Sequence, residues 1–302
     1  MKCTLRQLGY FVAASDHGSI SAASKALNVS QPSVSVAISQ IEKSYGVELF
    51  TRKNSVGINL TTAGQIVLRE ARMLLAHAND FDALATDVAQ EVSGEIRIAS
   101  FVNIAPIYMA SIIRSFQKSH PDVLVKTFIG NQKEILEGIR SGHFEVAVSF
   151  DLGLSNEFRI DVGRSLPPKL VVHADHVVAN RKAASLGDII KEPFIYLDLP
   201  YSRDYFFSLF ERSGLRPELT TPVASYETIR SYVGNRLGFS ILNLVPRNAT
   251  NYDGTKVRYI SLKEDHRPLN ICCVSLKRVV QRRAIIAFID HFKNFFARLP
   301  KD

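Results

Sequence analysis

Five hydrogen-bonding side chains, Gln31, Ser33, Ser35, Ser39 and Gln40, share one face of a segment whose other face carries Val34, Ile38 and Ile41. The apolar residues recur at helical spacing, which predicts a helix from Gln31 to about Tyr45, closed by Gly46. Solvated helix faces usually carry Glu, Lys and Arg, so a face of Ser and Gln points to something polar laid against it. Base edges and phosphates of DNA accept such side chains, with Pro32 at the entry of the helix. Just downstream, Leu49 to Lys53 and Ile58 to Leu60 flank Asn54-Ser55-Val56-Gly57. That pattern predicts a small β-hairpin with Arg52 and Lys53 exposed, a wing beside a groove.

The elements that must hold this face are also legible. Leu5, Leu8, Phe11, Val12 and Ser15 define a first helix, ended by Asp16-His17-Gly18. Ser19 is a good cap for a second short helix with Ile20, Ala23 and Leu27 inward. Asn28 tolerates left-handed backbone, and Ser30 caps the third helix. Two short helices joined so tightly make a helix-turn-helix. Beyond the hairpin, Thr62 and Gln65 have capping-box spacing and open a long helix. Along it Val67, Ala71, Leu74, Ala78, Phe81, Ala85 and Val88 follow in alternating steps of four and three, a seam of three heptads. A second copy of the helix would cover that stripe; the alternative is packing against the chain's own body.

From Ser93-Gly94 onward the chain alternates strands with helices. Strands are read near 95–100, 123–128, 145–150, 170–174, 194–197, 239–242, 257–260 and 269–276, and helices near 104–119, 132–141, 203–213, 225–235 and 279–298. This implies parallel sheet covered on both faces, with ligands gathering outside the carboxyl ends of the strands. No Walker loop, GxGxxG, HExxH, GxSxG or Cys/His cluster occurs, so no metal site or cofactor is expected. The 302 residues suit up to three domains, 46% hydrophobic and 22% charged content is that of an ordinary folded chain, and no apolar run is long enough to span a membrane. A cytoplasmic protein is expected.

Where the net charge of +8 sits matters more than its size: residues 1–65 carry six Lys/Arg against three Asp/Glu, residues 266–302 eight against two, and the remainder 23 against 24. A basic first segment on a neutral body fits a nucleic-acid contact, though a solvated basic face would look the same. The run Lys277 to Arg283 is read as a solvated face or subunit contact. Cys3, Cys272 and Cys273, an odd count without a CxxC, read as reduced thiols in a core.

These residues resemble the LysR-type transcriptional regulators. The likeness runs through Ala22-Ala23, Leu27, Ser30-Gln31-Pro32-Ser33-Val34-Ser35, Ile38, Ile41-Glu42, Gly46-Val47, Leu49-Phe50, Arg52, Leu60-Thr61 and Ala63-Gly64. It continues more loosely through Pro106, the Phe116 to Pro121 stretch, Gly142 to Val148 and Gly234 to Ser240. The resemblance implies a winged helix-turn-helix at 1–61, a dimerising linker helix at 62–92, and from 95 to 302 a two-lobed α/β effector-binding domain like type 2 periplasmic binding proteins. Its first lobe would be 95–164 with 269–302 and its second 165–268. It further implies double-stranded promoter DNA, a small-molecule effector, a homodimer that pairs into a tetramer, and RNA polymerase as partners. DNA contacts fall on Gln31, Pro32, Ser33, Ser35, Ser39, Arg52, Lys53 and Thr61. Val36 departs from the family, which usually has Arg there; Ala37 and Ser39 also replace positions that are often basic.

Matching strand ends to the family places effector contacts at Ser100, Phe101 and Asn103, at Gly130 and Asn131, and at Phe150. The second lobe adds Pro200, Tyr201, Ser202 and Arg203, with Tyr226, Glu227 and Thr228 opposite. Hydroxyls and amides at helix N-termini with Arg203 suit an anionic ligand, and the aromatics a ring. The competing class is a stand-alone ligand-binding module or a hydrolase using Ser100 or Ser240 with one of the eight histidines.

Overall fold

The computed structural model describes residues 2–52, 58–86, 92–246 and 248–300; at Arg52, Asn79, Asp80 and 82–86 it describes the backbone only. The first helix, α1 (Leu5–His17), starts in a capping box in which the Thr4 hydroxyl accepts from the Gln7 amide and the Gln7 side chain takes the Thr4 amide. Gly18, at φ 61°, ends it. Ser19 caps α2 (Ile20–Ala26), Asn28 turns the chain at φ 53°, and Ser30 caps α3 (Gln31–Tyr45). Leu27 closes α2 exposed rather than inward. Phe11, Val34, Ile41 and Leu49 are fully buried, and Phe11 meets Phe50 edge to face at 5.4 Å. Each such side chain contributes roughly 1.5–3 kcal/mol by leaving water. The wing is the antiparallel pair β1 (Phe50–Arg52) and β2 (Ile58–Leu60). Lys53 lies outside the described residues.

The long helix α4 (Thr62–Thr86) is capped by Thr61 rather than Thr62. The Thr61 hydroxyl accepts from the Gly64 amide at 2.9 Å and donates to the Glu48 carbonyl at 2.6 Å. Gly64 lets the helix lie on the wing, since a Cβ there would stand 2.1 Å from the Leu49 carbonyl oxygen. The seam is partly occupied within the chain: Ala71 is buried and Val67 half-buried in the core of the N-terminal helical unit, beside Leu68. Leu74 (41%) and Phe81 (69%) remain exposed and Ala78 half-buried; the Ala85 side chain and Val88 lie outside the described residues.

Past Gly94 the order is β3 (Gly94–Phe101), a π turn (Ala105–Met109) running into α5 (Ala110–Ser119), β4 (Val123–Gly130), α6 (Gln132–Arg140), β5 (Val146–Phe150) and β6 (Phe158–Leu166). Then come β7 (Lys169–His173), β8 (Ala183–Ala184), β9 (Phe194–Leu197), α7 (Ser202–Arg212), β10 (Thr220–Val223) and α8 (Tyr226–Gly234). The chain closes with β11 (Ser240–Leu242), β12 (Val257–Leu262), β13 (Leu269–Leu276) and α9 (Arg283–Ala297). One five-stranded sheet runs β4-β3-β5-β13-β6 and one four-stranded sheet β11-β7-β12-β8, with β9 and β10 paired separately. The sheets are mixed rather than parallel: β13 runs antiparallel to both neighbours, as does β7 to β11 and β12. Strand β6, on the edge of its sheet, goes unread although Phe158-Arg159-Ile160-Asp161-Val162 alternates as a strand does; Ile160 and Val162 of that alternation stay exposed. Two crossovers, at 167–168 and 263–268, join the five-stranded lobe to the other.

Candidate functional site

On α3 the inner residues Val34, Ala37, Ile38 and Ile41 are buried while Gln31, Pro32, Ser33, Ser39 and Gln40 are exposed and Ser35 is half-buried. Ser33 shares a 2.7 Å hydrogen bond with Ser30, and Gln40 accepts from Gln7 at 2.6 Å, which fixes the end of the face farther from the helix start. Val36 is 54% exposed among these polar groups. Arg52 ends β1 of the wing, and Thr61, with its hydroxyl spent at the root of α4, is a structural residue rather than a free contact.

The second site lies between the lobes. A cavity of about 300 Å³, solvent at its mouth included, is lined by Phe101, Asn103, Phe150, Ser202 and Tyr226. Five expected contacts are thus brought together at strand ends and helix starts. Buried Gln132, at the start of α6, donates to the Phe150 and Leu152 carbonyls at 3.1 and 2.7 Å and fixes that wall. Across the crossovers, Arg267 pairs with Asp151 at 2.7 Å. Tyr226 donates to the Leu244 carbonyl, and Tyr205 donates to the Arg267 carbonyl at 2.9 Å. Burial pushes the Tyr205 hydroxyl up to about 12, so it stays a donor.

Asn243 also lines the cavity. Its amide nitrogen donates to the Leu166 carbonyl and to the Tyr205 hydroxyl, both at 2.9 Å. Because Tyr205 already donates to Arg267, these two bonds fix which end of the amide is nitrogen. The Asn243 side-chain oxygen is left buried without a partner.

Other expected contacts are spent elsewhere. Arg203 is exposed and lies over the Tyr196 and Phe207 rings, 5.9 and 5.7 Å from their centroids, because a first-turn residue of α7 on that side points away from the cavity. Asn131 caps α6 by accepting from the Glu134 amide, and Gly130 is packed under Glu134 and Phe128. Pro200 is exposed, and Tyr201, at φ 66°, packs on Gly153 in a neighbouring groove with Asp204 and Arg212. Glu227 pairs with buried Arg230 at 2.8 Å, and Thr228 gives its amide to the Ser225 cap. Ser100 is buried with only a 3.4 Å bond to the Phe101 carbonyl, and Ser240 has no hydrogen-bond partner, so neither serine has a histidine base among the described residues. Those residues hold no cluster of three or more metal-ligating side chains, and none of their helices is long and apolar enough to cross a membrane.

Comparison with known proteins matches residues 5–65 to the bacterial regulatory helix-turn-helix of the lysR family and residues 89–297 to the LysR substrate binding domain. The chain belongs to the LysR family of transcriptional regulators. The HTH-type transcriptional regulator YnfL of Escherichia coli (strain K12) is 29% identical over 299 residues, covering 97% of this chain and 99% of that one. The crystal structure of HinK, a LysR family transcriptional regulator from Pseudomonas aeruginosa, matches with a TM-score of 0.67 at 33% identity over 98% of this chain and 100% of that chain. A full-length OxyR variant from the same organism shares the fold, with a TM-score of 0.75 at 20% identity over 96% and 97% of the two chains.

In this LysR-family chain the DNA-binding unit and the effector-binding domain are therefore distinct parts, and the cleft lies in the latter. Sequence reading missed Leu197, Phe206, Leu242, Asn243, Leu244 and Leu269 of its lining. Asn243 had a usable signal, a single amide inside the apolar run from Phe239 to Val245.

Proposed function

We propose that this regulator reads promoter DNA with Gln31, Pro32, Ser33, Ser35 and Ser39 in the major groove and Arg52 and Lys53 on the backbone, and that a small molecule in the cleft switches this binding. The polar, largely uncommitted face of α3 supports the first part. With Val36 where a cation is common, the helix has an apolar contact suited to a thymine methyl. Bare Leu74 and Phe81 support pairing of two chains along α4, a dimer that would meet a two-fold operator. Pairing of dimers and contact with RNA polymerase belong to the same reading.

The single observation that carries the effector reading is Asn243. It ties the end of β6 to α7, it lines the cavity, and its side-chain oxygen is buried there without a partner. Among the described residues, no Asp, Glu, Lys or Arg side chain lines that cavity. The effector it fits is a compact apolar molecule with one hydrogen-bond donor, rather than an anion gripped by Arg203. A ligand that satisfies the buried oxygen only when both lobes touch it would favour closure.

The test is a thermal-shift screen of the full chain with uncharged heteroaromatics against carboxylates, followed by fluorescence anisotropy on a labelled operator. Compounds that change operator binding should come from the uncharged set, and Asn243→Leu should abolish their effect while basal operator affinity persists. Effectors drawn from the carboxylates, with an unaltered response in Asn243→Leu, would sink the assignment.

A further inference from the structure

A second cavity, unrelated to the cleft, lies where α4 meets the first lobe. It encloses about 530 Å³, solvent at its mouth included. Met73 and Ala76 of α4 form one wall, and Phe144, Leu276 and Ile285 form the other. Three arginines, Arg72, Arg97 and Arg282, also line it. Arg282 is matched, gripping Glu145 with two bonds of 2.6 and 2.7 Å.

The other two arginines are not matched. Arg72 is only 6% exposed. It pairs with Asp16 of α1 and donates to the Ser141 carbonyl at 3.2 Å, yet its Nε is buried without a partner. The Arg97 guanidinium has a 3.5 Å contact with the Gly142 carbonyl and no carboxylate partner among the described residues. Burial disfavours the charge on Arg72, and Arg97 repels it further, the Asp16 carboxylate opposing both. Carbonyls at the C-terminal end of α6 draw these cations together, but a helix end carries only about half an elementary charge. Three guanidiniums thus face two carboxylates, Asp16 and Glu145, across a largely apolar space.

We propose that this cavity binds a small monocarboxylate with a compact apolar body, its carboxylate held by Arg72 and Arg97 and its body on Met73, Phe144 and Ile285. Guanidinium groups match a carboxylate in shape and charge, one negative charge balances the excess, and apolar walls disfavour strongly hydrated dianions. The ligand would bridge the linker helix to the effector-binding domain at the end of the lobe opposite the cleft.

The test is calorimetric titration of the full chain with cyclohexanecarboxylate, with cyclohexanecarboxamide as the uncharged isostere and sulfate as competitor. The acid should bind saturably, the amide at least about tenfold more weakly, and equimolar sulfate should not displace the acid. Arg97→Gln should weaken the acid about tenfold or more, and Ala76→Phe, which fills the space without touching a charge, should abolish binding; Asn243→Leu should leave it unchanged. Circular dichroism confirms folding of each variant. Absence of saturable binding, equal binding of acid and amide, displacement by sulfate, or loss in Asn243→Leu with retention in Arg97→Gln would each overturn the proposal.

Discussion

The two cavities sit at opposite ends of the same strands. Phe101 and Phe150 are at the carboxyl ends of β3 and β5 and face the cleft, whereas Arg97 lies toward the start of β3 and Glu145 immediately before β5, facing the linker helix. Where strands end and helices begin, backbone amides and neutral side chains meet, and the chain leaves one acceptor unmet. Where helices end, carbonyls collect arginines, and the chain leaves a positive charge unmet. One lobe thereby acquires a neutral end that selects by shape and a cationic end that selects by charge, both consequences of how an α/β layer orients its helices.

Three measurements would break or sharpen that contrast. The greatest loss should come at the cationic end. Arg282→Met strands the largely buried Glu145 carboxylate and removes the bond to the Glu95 carbonyl, at a cost of about 3–5 kcal/mol in urea unfolding of the full chain. At the neutral end, Tyr226→Phe removes one buried hydrogen bond and leaves the Leu244 carbonyl unsatisfied, for about 1–3 kcal/mol. If the two losses prove equal, charge does not distinguish the two ends.

The smallest effect should come from acid. His266, in the second crossover, is buried with neither ring nitrogen bonded, and burial holds it below the ordinary histidine range. The folded chain therefore binds fewer protons there than the unfolded chain. This contribution is complete above about pH 6.5 and is lost as pH falls below that toward the folded value. A melting series from pH 7 to pH 5 should decline, and His266→Phe should flatten the decline. An unchanged slope would exclude His266 as its source.

Legibility in the sequence followed distance along the chain. The caps Ser19 and Ser30, the left-handed Asn28 and the periodicity of α3 are local, and all four stand where sequence reading puts them. The α4 cap missed by one residue, because Thr61 and Thr62 offer the same hydroxyl and only the Glu48 carbonyl discriminates between them. Half of the cleft was readable from strand ends. Leu269 reaches it only through the second crossover, and no local pattern encodes that approach. Arg203 misled because the start of a helix is a good place for an anion without the first-turn side chain having to point at it.

Cys272 and Cys273 occupy the middle of β13, between β5 and β6. Burial pushes the Cys272 thiol up to about 12, and Cys273 also lies well above its ordinary value. At neutral pH the Cys272 thiol therefore stays protonated, and an alkylating reagent has no path to it while the sheet is closed. Iodoacetamide uptake at these positions should therefore run at the frequency with which the sheet comes apart, so the pair serves as a built-in clock for opening of the first lobe.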